Sequence, residues 1–242
     1  MTLRLNLWCG PRNVSTALMY AFRQRPDTRV VDEPFYGHYL ARSDAVHPGA
    51  DAVVASMSTD IDEVLRTVVL GPVDRPAIVF KQMAHHLIPS VPLGFLDECV
   101  NVLVIRDPTE VLTTIVRQLP EPTMRDIGIA RQVELFDELV RRGQDPAVVD
   151  ARLLLEDPGS VLAQLCERVG LTWDPSMLSW PAGPKPEDGV WAEHWYQNAH
   201  ASTGFVPYAP KAEPVPPHVR DLADEASALY ARLVGRALRG AS

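Results

Sequence analysis

Five short apolar runs alternate along the chain with longer stretches in which apolar residues recur every three to four positions. The runs predict strands at residues 3–8, 28–32, 76–81, 101–106 and 148–155. The periodic stretches predict helices at residues 13–24, 59–70, 85–96, 108–117, 127–142, 158–169 and 218–238. This alternation is typical of βαβ units, so we predict an α/β fold of three layers, with a parallel sheet between helices.

Two segments lack periodicity and are predicted as loops. Residues 41–58 contain a His-Pro-Gly turn, and residues 172–217 contain many prolines and four of the five tryptophans. An irregular segment as long as the second is usually a lid or a binding loop. No repeat or long linker divides the chain, so we predict one domain over residues 1–242 with a lid at 172–217.

Charged residues stand at the ends of four predicted strands. Lys81 and Arg106 end the third and fourth strands, Glu33 follows the second, and Arg12 lies in the loop after the first. Ligands of parallel sheets bind beyond the carboxyl ends of the strands. The pattern therefore predicts a polar active site along that edge.

Composition narrows the possible partners. The 242 residues carry a formal net charge of −8, which argues against nucleic acid and acidic membranes, because both require a basic surface. Any anion site must therefore be local. The three cysteines form no CxxC pair, so they indicate neither a zinc site nor a disulfide framework. Cys9 fits either a reactive thiol or, more simply, a small buried residue at a strand end.

The N-terminus lacks a basic segment followed by an apolar core, and no apolar run approaches about 18 residues. The sequence therefore predicts a soluble, cytoplasmic protein without a signal peptide or membrane span.

The loop after the first strand has the features of an anion site. A Gly-Pro turn at positions 10 and 11 leads through Arg12 to the hydroxyls of Ser15 and Thr16, where a helix begins. Backbone N–H groups and the positive end of a helix dipole converge at such a point. The loop does not match GxxxxGK[ST], and taken alone it fits an N-capped helix equally well.

With this loop, the chain resembles the P-loop sulfotransferases, which use 3′-phosphoadenosine 5′-phosphosulfate (PAPS). Their 5′-phosphosulfate loop reads Pro-[Lys/Arg]-Ser-Gly-[Ser/Thr]-Thr, and here the same place holds Pro11, Arg12, Asn13, Val14, Ser15 and Thr16. The resemblance implies that Arg12 contacts the bridging and sulfuryl oxygens while Ser15, Thr16 and loop amides hold the 5′ phosphate. Asn13 and Val14 depart from the pattern. Because a β-branched residue tolerates positive φ badly, the loop must have another shape there.

A second motif carries the resemblance further. Family members hold the 3′ phosphate with an Arg at a strand end and a Ser eight residues later, and here Arg106 is followed by Thr114. The fork of an Arg suits a phosphate because it donates two hydrogen bonds at once. Alternatively, Arg106 begins a surface helix and Thr114 fills the core.

In the segment 185–195, Lys185, Gly189 and Trp191 loosely match the loop that closes over the nucleotide in family members.

The general base has two candidates. Family members with an Arg in the loop often carry a catalytic Glu near the position of Glu33, where an apolar lid would raise its pKa. Glu33 paired with Arg12 as a structural brace is the other interpretation. His85 follows Lys81 in a stretch that resembles the family's Lys-Thr-His, although Met83 stands in the His place. Lys81 is expected to contact the sulfuryl group. Asp32 is the poorer carboxylate, because it faces the opposite side if the strand continues.

The resemblance implies an enzyme that transfers a sulfuryl group from PAPS to a hydroxyl, or an amine, of a small-molecule acceptor, without a metal. A non-catalytic nucleotide-binding protein of the same fold and a P-loop kinase are the alternatives. The sequence leaves the acceptor and the oligomeric state open.

Overall fold

The computed structural model describes residues 2–117, 119–210 and 213–240, so positions 211 and 212 of the predicted lid lie outside the described residues. The centre is a sheet of five parallel strands in the order β2-β3-β1-β4-β5. The strands are β1 (Leu3–Cys9), β2 (Thr28–Asp32), β3 (Ala77–Met83), β4 (Val100–Ile105) and β5 (Ala147–Asp150).

Helices connect and cover the strands. They are α1 (Ser15–Arg23), α2 (Tyr36–Arg42), α3 (Ala50–Ser56), α4 (Ile61–Val64), α5 (Pro108–Ile115), α6 (Met124–Ile127), α7 (Ile129–Arg141), α8 (Ala151–Glu156), α9 (Pro158–Val169), α10 (Ala192–Trp195), α11 (Gln197–Ala201) and α12 (Arg220–Val234). Within the described part of the chain, no helix combines the length and the apolar character needed to cross a membrane.

Alternating side chains divide the core into two layers, one on each face of the sheet. Leu7 and Cys9 of β1 pack with α1, α8 and α9, whereas Trp8 between them packs with α5, α7 and α12. This period of two is what a strand imposes when both of its faces are covered. The predicted three-layer α/β fold is confirmed.

The predicted last strand, residues 148–155, is wrong in its second half. The strand ends at Asp150, whose carboxylate accepts hydrogen bonds from the N–H groups of Arg152 and Leu153 and so caps α8. An Asp at this position satisfies the first N–H groups of a helix, which favours leaving the sheet. Apolar content alone did not reveal the change.

Three further element predictions are corrected. The predicted loop at 41–58 contains α3, and the predicted helix at 59–70 is α4 followed by a π-helical turn at Leu65–Val69. The predicted helix at 85–96 forms two 3₁₀ turns, Ala84–His86 and Leu93–Glu98, instead. Pro89 and Pro92 lie between these turns and cannot donate the backbone hydrogen bonds that a continuous helix needs.

The topology places the loop at residues 10–14 at the middle of the sheet. From β1 the chain runs to β2 at one edge, returns to β3 beside β1, and then crosses to β4 on the other side of β1. The carboxyl end of β1 is therefore the switch point of the strand order, where ligands of such sheets bind.

Candidate active site

The strand order brings together the four charged residues that the sequence singled out. Along the carboxyl edge the order is Glu33, Lys81, Arg12 and Arg106, which follow or lie in β2, β3, β1 and β4. Glu33 forms an ion pair with Lys81, and Nη1 of Arg106 donates to the backbone oxygen of Arg12 at 3.0 Å. The edge thus holds a carboxylate–ammonium pair beside two guanidinium groups.

Two residues of this edge have a left-handed backbone. Among the described residues, Arg12 at φ 55° and Glu33 at φ 41° are the non-glycine positions with positive φ. Such a conformation costs on the order of 1–3 kcal/mol for a residue with a side chain and is concentrated at functional sites. That both of these described non-glycine positions lie at this edge supports a functional role for it.

The anion loop has the altered shape that Val14 required. Its left-handed residue is Arg12, while Val14 has φ −83° and buries its side chain in the core against α1. Asn13 braces the loop, because Nδ2 donates to the oxygen of Val104 at 2.6 Å and Oδ1 accepts from the N–H of Val14 at 2.8 Å. The side chains of Asn13 and Val14 therefore serve the fold, and only their backbones can face a ligand.

The start of α1 retains its capacity for an anion. The helix begins at Ser15, and within the described chain no side chain caps its N-terminus. The first N–H groups of a helix need partners from outside it, and a negative charge is favoured there. Ser15 is buried and Thr16 is half-buried, so the second hydroxyl is the more accessible one.

Arg12 carries a positive charge without a carboxylate partner in the described residues. Its guanidinium lies 5.6 Å from the centre of the Trp195 ring, which belongs to the lid. Burial lowers the pKa of Arg12, yet a guanidinium remains charged in proteins. A half-buried cation beside uncapped helix N–H groups is suited to an anionic group of a ligand.

A buried cluster of charges lies at the ends of β2 and β3. Lys81 is 1% exposed, and its Nζ donates to Oδ1 of Asp32 at 3.0 Å, to Oε1 of Glu33 and to the hydroxyl of Tyr196 at 2.5 Å. Burial opposes the charge of Lys81, but the two carboxylates raise its pKa well above the ordinary value. All three N–H bonds of the ammonium are therefore in use.

Tyr196 connects the lid to this cluster. Its hydroxyl donates to the Asp32 carboxylate, whose oxygens lie 2.9 and 2.8 Å away, and accepts from Nε1 of Trp191 at 3.1 Å. Burial raises the pKa of Tyr196 well above 10, so the phenol stays protonated. Tyr196 lies within the predicted lid, 163 positions from Glu33, and no local sequence pattern reveals such a contact.

Two expectations about the carboxylates are corrected. Asp32 was predicted to face away from Glu33, but both carboxylates contact Lys81 because the positive φ of Glu33 interrupts the alternation of the strand. The cation that pairs with Glu33 is Lys81, not Arg12. Adjacent acidic residues before Pro34 were the one sequence signal for this arrangement.

Glu33 keeps one oxygen available. Its Oε1 is held by Lys81 and lies 3.4 Å from the Tyr196 hydroxyl, whereas Oε2 makes no hydrogen bond within the described chain and lies 3.8 Å from Nδ1 of His86. Burial raises the pKa of Glu33, although Lys81 opposes the shift. The residue has the free oxygen and the raised pKa of a general base.

His85 and His86 lie beside these groups in a cluster of aromatic rings. His86 stacks between Tyr36 and Tyr39, with ring centres 4.6 Å apart in each case. The Nδ1 atom of each histidine is buried without a hydrogen-bond partner in the described residues. Burial lowers the pKa of His85 to about 3 and that of His86 well below 6.5. Both imidazoles are therefore neutral at physiological pH.

His85 is also a neighbour of the anion loop. A Cβ on Gly128 would lie 3.9 Å from Nδ1 of His85 and 3.4 Å from Cδ of Pro11. The histidine thus lies between the loop and the aromatic cluster. Met83, which stands at the family's His position, packs instead in the core against α1.

Arg106 and Thr114, which were expected to hold a phosphate, already donate hydrogen bonds within the protein. Nε and Nη2 of Arg106 donate to Oε2 of Glu110 at 3.0 and 2.8 Å, and the hydroxyl of Thr114 donates to the backbone oxygen of Glu110 at 3.1 Å. Thr114 is half-buried, so it is not a filler of the core. Tyr208 donates to Oε1 of Glu110 at 2.5 Å. Sequence reasoning missed Glu110 as the partner of Arg106.

The structure places Gly189 and Trp191 at the carboxylates that follow β2, and Lys185 beside Tyr20 of α1. The N–H of Gly189 donates to Oδ2 of Asp32 at 3.4 Å, and Trp191 contacts Tyr36 edge-on at 5.2 Å. Lys185 is buried, with Nζ directed to the oxygen of Gly183 and 5.0 Å from the Tyr20 ring centre. This part of the lid covers the carboxylate cluster.

Asp188 fastens the same segment to the body and was also missed. Its carboxylate accepts from the Tyr20 hydroxyl at 2.9 and 2.8 Å and lies 2.9 Å from Nε2 of His200. Tyr20 lies on α1, so the lid is tied to the helix that begins at the anion loop.

Cys9 is a small buried residue, not a reactive thiol. It is fully buried in β1, and burial raises its pKa to about 12. A thiol with so high a pKa forms little thiolate, which is the reactive form.

Comparison with known proteins adds independent information on the family. A family model described as a sulfotransferase domain matches residues 3–237. In Arabidopsis thaliana, branched-chain-amino-acid aminotransferase-like protein 1 is 35% identical over 210 residues, and protein 2 of that name is 32% identical over 226 residues. The matches cover 87% and 93% of this chain but only 37% and 40% of those proteins, so the chain spans less than half of their length.

Solved structures show the same fold. A sulfotransferase from Alicyclobacillus acidocaldarius aligns over 100% of this chain and 98% of its own, with a TM-score of 0.56 and 14% identity. The sulfotransferase domain from the curacin biosynthetic pathway aligns over 94% of this chain and 98% of its own, with a TM-score of 0.54 and 13% identity. At such low identity these two likenesses show the fold alone.

Proposed function

Because the chain belongs to the sulfotransferase domain family, we propose that it transfers a sulfuryl group from PAPS to a hydroxyl, or an amine, of a small-molecule acceptor. The observation that carries this proposal is Arg12, a half-buried cation without a carboxylate partner in the described residues, next to the uncapped start of α1. That arrangement suits an anionic group at the point where the strand order reverses.

The residues present fit both ends of this donor. The N–H groups at the start of α1, with Ser15 and Thr16, would hold the 5′ phosphate, and Arg12 would contact the sulfuryl end. Arg106, whose Nη1 bonds to the oxygen of Arg12 at 3.0 Å, would receive the 3′ phosphate together with Thr114. Two neighbouring guanidinium groups suit a nucleotide with two separate phosphates.

The bound donor supplies an activated sulfuryl group, whose bond to the phosphate oxygen breaks as its bond to the acceptor oxygen forms. Arg12 stabilises the negative charge that develops on the departing phosphate. Glu33 receives the acceptor's proton on Oε2, the oxygen that Lys81 leaves open. Lys81, with all three donors engaged, positions Glu33 and does not contact the sulfuryl group.

His85 is the second candidate for the base, since its buried Nδ1 lacks a partner in the described chain. A pKa of about 3 makes this imidazole a weak proton acceptor, whereas the raised pKa of Glu33 brings it closer to working pH. We therefore assign the proton transfer to Glu33.

The acceptor would bind against the aromatic cluster of Tyr36, Tyr39, His86 and Trp191 beside Glu33. Flat apolar walls with a few polar atoms are typical of sites for small organic molecules. We do not extend to this chain the aminotransferase named in the Arabidopsis relatives, because the sulfotransferase match takes up residues 3–237.

Thermal stabilisation by nucleotides tests the donor. Adenosine 3′,5′-bisphosphate at about 100 times its Kd should stabilise the protein by about 2.7 kcal/mol, with or without magnesium. ADP and ATP should stabilise it less at the same concentration, and Arg12→Ala should weaken the effect of all three. Stabilisation by Mg-ATP alone would show a phosphotransferase and overturn the proposal.

A further inference from the structure

The partner of Arg106 is a carboxylate from α5, the helix that begins two residues after it. Glu110 follows Arg106 by one helical turn and accepts two of its N–H bonds on a single oxygen, at 3.0 and 2.8 Å. The backbone oxygen of Arg12 accepts a third. Three of the five donors of the guanidinium are therefore engaged, and its charge is balanced by an acid.

The other oxygen of Glu110 is held from the lid. Tyr208 donates to Oε1 at 2.5 Å, and the guanidinium of Arg152 lies 5.6 Å from the Tyr208 ring centre. Glu110 thereby also raises the pKa of Tyr208, which keeps the phenol as a donor. The carboxylate is thus fixed on the fork of Arg106 from two sides.

We propose that Glu110 is an internal competitor of the donor's 3′ phosphate and determines how strongly the site selects nucleotides that carry this phosphate. The inference rests on the proposed function, which assigns the 3′ phosphate to Arg106. A dianion that approaches Arg106 meets a carboxylate already bound to the same fork. It must displace Glu110 or bind beside a like charge, and either costs affinity.

Tyr208 makes the competition depend on the lid. If the 3′ phosphate displaces Glu110, the hydrogen bond between Tyr208 and Glu110 is lost. Removing the Tyr208 hydroxyl should therefore strengthen binding of the 3′ phosphate, but by less than removing the charge of Glu110 does.

Calorimetric titration with adenosine 3′,5′-bisphosphate and adenosine 5′-phosphate measures this selection as a ratio of two affinities. Glu110→Gln should raise the ratio by about tenfold, because it removes a half-buried like charge at the phosphate position. Tyr208→Phe should raise the ratio less. Because this variant retains the Glu110–Arg106 ion pair, it still tests the proposal if Glu110→Gln does not fold. Affinity for adenosine 5′-phosphate should stay the same in both variants.

Glu138→Gln is the matched control. Glu138 and Arg142 form an ion pair of the same i,i+4 spacing with side chains 19% and 20% exposed, against 13% and 19% for Glu110 and Arg106. The control pair lies at the end of α7, which leads into the amino end of β5, whereas Arg106 follows the carboxyl end of β4. Breaking it should leave the ratio unchanged.

The outcomes separate this inference from the proposed function. If the wild type prefers the bisphosphate through Arg106, as shown by loss of the preference in Arg106→Ala, but Glu110→Gln and Tyr208→Phe fail to raise the ratio, only the inference is overturned. If neither the wild type nor Glu110→Gln binds the bisphosphate in an Arg106-dependent way, both are overturned.

Discussion

At the scale of single residues, the candidate site depends on two strained positions. Arg12 and Glu33 adopt positive φ, and in each case the turn redirects a charged side chain that a regular strand or loop would place elsewhere. Glu33 turns back toward Lys81 and joins Asp32 there. The strain is compensated by the contacts that the redirected groups make.

Sequence reasoning identified the strand-end charges because the carboxyl edge of a parallel sheet can be derived from hydrophobic periodicity. It could not derive the partner of Glu33, because the amino-acid sequence does not indicate that this residue has a left-handed backbone. Tyr196 and Asp188 were missed for another reason. Their contacts to Asp32 and Tyr20 join residues more than 160 positions apart, and only the folded lid brings them together.

Glu33→Gln tests the general base at this scale. Only the ionised carboxylate accepts a proton, so kcat/KM should rise with pH as Glu33 ionises. Because burial raises its pKa, the rise should occur above the ordinary carboxyl range. The variant should lose this rise and turn over roughly 10²- to 10⁴-fold more slowly, with nucleotide affinity retained.

Asp32→Asn is the control for that experiment. It removes one negative charge beside the same Lys81 and Tyr196 but leaves Oε2 of Glu33 in place, so the variant should keep the pH-dependent rise. A pH profile that survives in Glu33→Gln and disappears in His85→Asn would assign the base to His85 instead.

At the scale of elements, polar residues decided the boundaries that apolar content misjudged. Asp150 ends β5 by capping α8, and the paired prolines at 89 and 92 replace a predicted helix with two 3₁₀ turns. In contrast, β2 was predicted at the bounds observed, because its apolar residues lie between a turn and Pro34. The lid, predicted as irregular, holds the short helices α10 and α11, which are too brief for periodicity to reveal.

The packing of the lid onto β2 depends on a glycine. A Cβ at Gly189 would lie 2.2 Å from Cη2 of Trp191, so Gly189→Ala must displace the indole that donates to Tyr196. We expect a loss of about 1–3 kcal/mol in the free energy of unfolding and a lower turnover rate, measured by urea titration and by initial rates.

Gly94→Ala provides the comparison, because a Cβ at Gly94 meets nothing within 4 Å. This substitution should change neither quantity. Equal effects of the two substitutions would show that close contact with Trp191 is not what requires Gly189.

At the scale of the whole molecule, sheet topology assembles the site. Strands β1, β2, β3 and β4, which are distant in sequence, become neighbours in the sheet. The crossover between the two sides of β1 places the switch point of the strand order at its carboxyl end. The chain as a whole is acidic, with a net charge of −8. At this point, however, it presents the cation Arg12, which has no carboxylate partner among the described residues. Such a contrast would concentrate anion binding at one place, which a uniformly basic surface would not do.

The most direct test is transfer of ³⁵S from labelled PAPS into a mixture of small-molecule alcohols, phenols and amines, followed by chromatography. The wild type should form a labelled product and release adenosine 3′,5′-bisphosphate in equal amount, without added metal. Arg12→Ala, folded to the same degree, should form neither. Intact PAPS after incubation with the wild type, or equal labelling by Arg12→Ala, would contradict sulfuryl transfer at this site.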